Sequence, residues 1–321
     1  MTDAKRARFS RSFSARGATW VGTLLGALAV LGGACKRTAP SDGGSSATPL
    51  ASGSGAPAAV ASGIPKPISD ISKVVNPDAR PAYSGPAGKV FGVVTVKGDA
   101  APELPPVLSQ IKNECAPARE VYGHLFREGT GRTLADVFVA VTGYDGYVPP
   151  ETSVVTVEAS GCAWSTRTVG MTFGQRIDVV SKDHKPYVPD LMGASMPAQL
   201  VAMPGGSGSA LYPESPGRYL LVDSLRIFSR AEVLVVKYAT HDVTGLDGKF
   251  KIEGIPAGKV TLSAILPVTG QTVERSIEIN PSRPLEQNLE FDFSAAQFRE
   301  AVEAAKRPAP APSASAASSG R

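Results

Sequence analysis

The stretch His241-Asp242-Val243-Thr244-Gly245-Leu246-Asp247-Gly248-Lys249-Phe250-Lys251-Ile252-Glu253-Gly254-Ile255-Pro256-Ala257-Gly258-Lys259-Val260-Thr261-Leu262 alternates turns with strand-forming runs. Leu246-Asp247-Gly248-Lys249 is a hairpin signal: Gly takes positive φ without a steric penalty, and Asp bonds its own backbone. Phe250 and Ile252 then alternate with Lys249, Lys251 and Glu253, the period of a half-buried strand. Gly254-Ile255-Pro256-Ala257-Gly258 turns the chain again, into Val260–Ile265.

The same grammar extends in both directions. Val273, Arg275, Ile277 and Ile279 share one parity, against Glu274, Ser276 and Glu278. Leu289, Phe291 and Phe293 oppose Glu290 and Asp292, and both runs read as half-buried antiparallel strands. Upstream, short β-rich runs fall at Val90–Val96, Val137–Val141, Val154–Val157, Ile177–Val180, Tyr219–Val222 and Val233–Val236. With 33 Gly and 27 Pro in 321 residues, this excludes a helical bundle and predicts an all-β fold of packed antiparallel β-sandwiches. One short helix is expected over 294–306, with Ser294 as N-cap and Phe298, Val302 and Ala305 as its apolar stripe.

The formal net charge of +4 is local. Lys5, Arg6, Arg8, Arg11 and Arg16 against Asp3 account for all of it, and the rest of the chain is near neutral. A phosphate-neutralising patch is absent from the sequence, so nucleic acid is not an expected partner. The basic stretch is followed by an apolar run, Ala18 to Ala34, and then Cys35. That run is short for a membrane span and is flanked like an export signal. The arrangement resembles a bacterial lipoprotein signal, which implies that Cys35 becomes the lipidated first residue of an anchored protein. Gly32 stands where such signals usually have Leu, and a plain signal peptide with an incidental cysteine is the alternative. Lys36 after the cysteine points to the outer membrane under enteric-type sorting. If Cys35 is lipidated, Cys115 and Cys162 remain, and an oxidising compartment favours a disulfide between them over two buried free thiols. The Ala/Gly/Ser/Pro-rich stretch after Cys35 reads as a flexible tether, the more mixed Ile64 to Tyr83 as either lying against the body or staying loose, and the tail 307–321 as disordered.

The Thr244, Asp247-Gly248, Phe250-x-Ile252 and Gly254-x-Pro256-x-Gly258 elements resemble the carboxypeptidase regulatory-like domain, a transthyretin-like β-sandwich. Gly88–Val94 is similar to that family's opening strand, and Thr133-Leu134-Ala135-Asp136-Val137-Phe138-Val139 to its Pro-Leu-Ala-Asn-Val-x-Val strand. The section between the two halves is similar to cupredoxin-like (plastocyanin-like, methylamine-utilisation-like) domains, on Glu114-Cys115, Gly161-Cys162-Ala163-Trp164 and Gly174-Gln175 through Asp183. The implied organisation is a signal peptide at 1–34, an anchored linker at 35–88, first sandwich part at 89–150, cupredoxin-like section at 151–236 and second sandwich part at 237–293. The helix 294–306 and the tail follow.

Copper is what the cupredoxin resemblance implies, through two His, a Cys thiolate and a weak Met. Here Leu221–Phe228 stands where the second ligand cluster would fall, and it holds neither Cys nor His. The metal cage is therefore read as lost. The weak alternative is a Cu(I) site of His184 with Met192, Met196 and Met203; such methionines more often fill gaps in a core. His124 and His241 have no ligand-like neighbours, and no spacing suggests an enzyme. Tyr144, Tyr147 and Trp164 are the candidate binding residues, able to stack on a glycan or protein partner, against the alternative that they pack the sandwich. The expected function is a non-enzymatic, lipid-anchored envelope protein that binds or scaffolds a protein or glycan; the alternative is a periplasmic metal-binding or electron-transfer protein with a non-classical copper site of His184 and the methionines.

Overall fold

Each of the short β-rich runs named above, from Val90–Val96 to Leu289–Phe293, falls in a strand. In this computed structural model the described residues are 61–62, 65–194 and 200–306. The signal segment, Cys35, the tether up to residue 60, Met196 and the tail 307–321 lie outside them. In chain order the strands are β1 (Ala61–Ser62), β2 (Ala87–Gly98) and β3 (Phe138–Thr142), then β4 (Val154–Ser160), β5 (Ala163–Trp164), β6 (Thr168–Thr172), β7 (Arg176–Ser181), β8 (Pro189–Met192), β9 (Ser209–Leu211), β10 (Gly217–Asp223) and β11 (Arg226–Val236). The closing strands are β12 (His241–Val243), β13 (Lys249–Pro256), β14 (Gly258–Leu266), β15 (Gln271–Ile279), β16 (Leu285–Glu286) and β17 (Leu289–Phe293).

The two halves that flank the middle section meet in one β-sandwich. One sheet runs β12-β3-β14-β15, the other β13-β2-β16, with β17 also on β2. Val90, Val94, Val139, Ile252, Leu262 and Phe291 interdigitate between them. The parity read from the sequence holds on β17: Leu289, Phe291 and Phe293 are buried, Glu290 and Asp292 exposed. Its direction differs, because β17 lies parallel to β2, not antiparallel. Alternation reports that one face is buried and says nothing of which way the neighbour runs. The β4–β7 and β6–β11 pairs are parallel too.

The turn at Leu246–Lys249 also departs from expectation. Gly248 donates its N–H to Gly245 at 2.9 Å, so a tight turn forms. Its flanking strands do not pair: β12 joins β3 and β13 joins β2. The turn is a corner between sheets, and Gly248, at φ +67, is needed there because a Cβ would lie 2.5 Å from the Val94 carbonyl. Asp247 accepts the Lys249 N–H, the role of a turn former.

The middle section is a second pair of sheets, β1-β9-β7-β4-β5 and β6-β11-β10-β8, around Trp164, Met171, Ile177, Tyr187 and Leu221. Segments outside 151–236 complete this core. Ile111, Cys115, Ala118 and Tyr122, from the loop after β2, are buried in it. Within the mixed segment of the linker, Ile68–Val75 forms a helix whose Ile71, Val74 and Val75 pack on the same core, so this part lies against the body. The expected helix forms at Ala295–Lys306. Ser294 accepts the Phe298 N–H through its carbonyl, and its hydroxyl oxygen accepts the Gln297 N–H at 3.4 Å. Among the described residues no helix is long and apolar enough to cross a membrane.

Candidate functional site

The two sandwiches are joined through one buried carboxylate. Asp136 is 5% exposed and sits just before β3 at φ +64, a left-handed conformation that Asp tolerates better than most residues. Arg127 donates to both of its oxygens, Nε to Oδ2 at 2.7 Å and Nη2 to Oδ1 at 2.6 Å. From the middle section, the Arg167 N–H donates to Oδ1 at 2.8 Å and the Thr166 hydroxyl at 3.1 Å. Thr168 Oγ1 donates to the Asp136 carbonyl at 2.7 Å, and the Asp136 N–H donates to the Thr244 carbonyl at 2.9 Å. One side chain thus binds the segment before β3 and the β5–β6 connection, while its backbone holds β6 and the end of β12.

Two cavities flank this clasp. One, of about 250 Å³, lies over the outward face of β10 and β11, under the segment 104–126; its lining includes Asp136, Arg167, Arg218, Phe228, Arg230 and Glu232. The other, of about 360 Å³, is a groove lined by Arg127, Thr166, Thr168 and His241 among others. In the first cavity, Arg218 donates to Glu232 at 2.8 Å. Arg167 spends Nη1 on backbone carbonyls, 2.9 Å to His124 and 3.4 Å to Val121. Burial holds its guanidinium below the ordinary Arg value.

His241, read from the sequence as an ordinary residue, borders the second groove. Its ring lies 5.3 Å from that of Phe138, and Nε2 is 3.3 Å from Thr172 Oγ1. Burial lowers its pKa from 6.5 to about 4. The unfolded chain therefore takes the proton first as pH falls, and stability is lost from about pH 6.5 down toward pH 4. Between pH 7 and about pH 4.5 this group alone is expected to cost about 2 kcal/mol. Chemical denaturation of wild type and His241→Asn at both pH values checks it. The loss on acidification should be smaller in the variant by about that amount, and equal losses would remove His241 from the account.

The sequence candidates fare differently. Cys115 and Cys162 form a disulfide, which joins the loop after β2 to the β4–β5 hairpin. Trp164 is corrected as a binding residue: it is 1% exposed, with its ring 5.8 Å from that of Tyr187, and cannot stack on an incoming ligand. Its Nε1 is buried without a partner among the described residues. Tyr144 and Tyr147 border a shallow pocket of about 200 Å³. Both are half-buried; the Tyr144 phenol is 2.9 Å from Thr240 Oγ1, and Tyr147 accepts the Tyr83 N–H through its carbonyl.

His184 is exposed, as are Met192 (52%) and Met203 (56%). Asp183, beside His184, has its oxygens engaged by the N–H groups of Gly161 and Lys185 and by the Tyr187 hydroxyl. With both described cysteines in the disulfide, the donors present do not fit a mononuclear blue-copper centre. No group of three or more His, Cys, Asp or Glu able to hold a metal occurs among the described residues. The arginines of the first cavity were not legible in the sequence. Arg226, Phe228, Arg230 and Glu232 share a parity on β11, and that alternation was the available signal.

No protein-family model matches the chain, and no curated protein matches it. Among solved structures, an oxidized proline-to-glycine mutant of amicyanin is 15% identical, over 26% of this chain and 84% of that one, with a TM-score of 0.24. The copper-containing nitrite reductase NirK from Thermus scotoductus SA-01 is 16% identical, over 30% of this chain and 25% of that one, with a TM-score of 0.23. These are weak likenesses to cupredoxin structures over a small part of the chain.

Proposed function

We propose that this chain is a non-enzymatic binding protein of the bacterial cell envelope, exported, lipidated at Cys35 and tethered to the outer membrane. Its body presents the cleft between two β-sandwiches to a protein or glycan partner. The outer sandwich is of the carboxypeptidase regulatory-like kind, and the middle section is a cupredoxin-like frame without its copper cage. The observation that carries this reading is the Asp136 clasp, which fixes one sandwich against the other and so holds the cleft beside it open and preformed. A preformed concave site with a few converging polar groups is the usual form of a binding site. The disulfide accords with an oxidising compartment.

The test of the anchor is the N-terminal peptide of protein expressed in a Gram-negative host. Cys35 is expected as the modified first residue, with the protein in the membrane fraction. Cys35→Ser is expected to release it to the soluble periplasm or leave it unprocessed. An unmodified, internal Cys35 would sink this part of the reading.

A further inference from the structure

The cleft over β10 and β11 carries more positive charge than it neutralises. Arg127 and Asp136 form one pair, Arg218 and Glu232 another. Arg167 and Arg230 are left without a carboxylate of their own. The Arg167 side chain meets neutral carbonyls. Arg230 pairs with Val222 through the strand ladder, and its side chain makes no ion pair or hydrogen bond among the described residues. The two guanidiniums also repel: Arg230 and Arg127 act on Arg167 in the same direction as its burial, while Asp136 and Tyr122 oppose. Arg167 is partly desolvated and lacks a carboxylate of its own, which is costly; an anion would relieve that cost, with the exposed Arg230 at hand as a second donor.

The rest of the lining is largely apolar: Leu104, Val107, Phe126, Leu266 and Val268, with Phe228 on the same face of β11 as Arg230. At about 250 Å³ the space suits a small group rather than a drug-sized ligand. A phosphate dianion would be expensive to strip of water against such a wall, whereas a carboxylate matches the guanidinium fork with a single charge.

We infer that this cleft binds an organic carboxylate, its anion held by Arg167 and Arg230 and its attached apolar group against Leu104, Val107, Phe126 and Phe228. The ligand is either a free acid or the C-terminus of a peptide that ends in an apolar residue. The inference deepens the reading of the cleft as a binding site and does not depend on the lipid anchor.

Isothermal titration of the full chain tests it with four probes: 3-phenylpropionate, N-acetyl-phenylalanine, the neutral 3-phenylpropanamide and inorganic phosphate. At least one acid should bind saturably, with the amide and phosphate each weaker by about ten-fold or more. Arg230→Gln, at an exposed position on β11, should keep the wild-type melting temperature and weaken the acid by about ten-fold. Tighter binding of N-acetyl-phenylalanine would mark a peptide terminus as the source, and tighter 3-phenylpropionate a free acid. The inference fails if neither acid binds, if amide or phosphate matches the acids, or if Arg230→Gln binds as wild type does. Such failure with Cys35 lipidated would remove the ligand class and leave a tethered envelope protein. An unlipidated Cys35 with a positive titration would do the reverse.

Discussion

Asp136→Ala is expected to destabilise the protein by about 3–5 kcal/mol, the cost of stranding a buried ion-pair partner. The Arg127 guanidinium would lose both of its carboxylate bonds, with its side chain only 12% exposed. The Arg167 N–H and the Thr166 hydroxyl would lose a shared acceptor. Ala is also a poor occupant of φ +64. Asp136→Asn separates these causes, because Asn tolerates the left-handed conformation and retains one acceptor oxygen while removing the charge. It should destabilise less than Ala, yet still measurably. The effect should also be selective: with the clasp gone, the two sandwiches should unfold in separate steps where wild type unfolds in one. Denaturation followed by calorimetry, with Trp164 fluorescence as a probe of the middle section, reads both quantities. A loss below about 1 kcal/mol for Asp136→Ala, the range of an exposed ion pair, would show that the clasp does not hold the sections together.

Faces were legible in this sequence, and partners were not. Leu289, Phe291 and Phe293 declared their buried side by alternation, since side chains on a strand point alternately to opposite faces. That β17 runs parallel to β2 depends on a chain path no local pattern encodes. The Asp247-Gly248 turn was visible for the same local reason, but its use as a corner depends on which sheets had already taken β2 and β3. The candidate site was less legible still. Asp136 occupies a position where the resembled strand has Asn, and a charge there was a hint that a counter-ion would be needed. Arg127, Arg167, Arg218 and Arg230 come from four separate segments, and only the packing of 104–126 over β10 and β11 brings three of them to one cavity. For Trp164 the packing reading was the one realised: Gly161 and Cys162, at φ +59 and +66, form a two-residue turn that sends it inward along β5 into the core.

That hairpin is where removal of the disulfide should be felt. Cys115 and Cys162 are 47 residues apart, and closing a loop of that length restricts the unfolded chain by about 4 kcal/mol in the entropic account. Both cysteines are buried, so serine would add an unpaired hydroxyl to the core; the double substitution to Ala, compared with reduced wild type, isolates the cross-link. Both forms should lose stability by similar amounts of about 2–4 kcal/mol. The loss should be regional. The 113–118 segment packs so closely on the hairpin that a Cβ on Gly161 would meet Pro117 at 2.8 Å. The turn itself stays pinned by other bonds: Gly161 N–H to Asp183, Cys162 N–H to Tyr187, and the Ser229 hydroxyl to the Cys162 carbonyl. Hydrogen exchange should therefore rise most over 111–122, which would be held by the packing of Ile111, Ala118 and Tyr122, by the Trp164 N–H bond to the Tyr122 hydroxyl and by the long Arg167 bond to the Val121 carbonyl. That segment roofs the arginine cleft, so loosening it should also weaken any ligand bound there. If exchange instead rises uniformly across β2 and β13–β17, the cross-link acts on the whole unfolded chain and the segment needs no staple to stay docked.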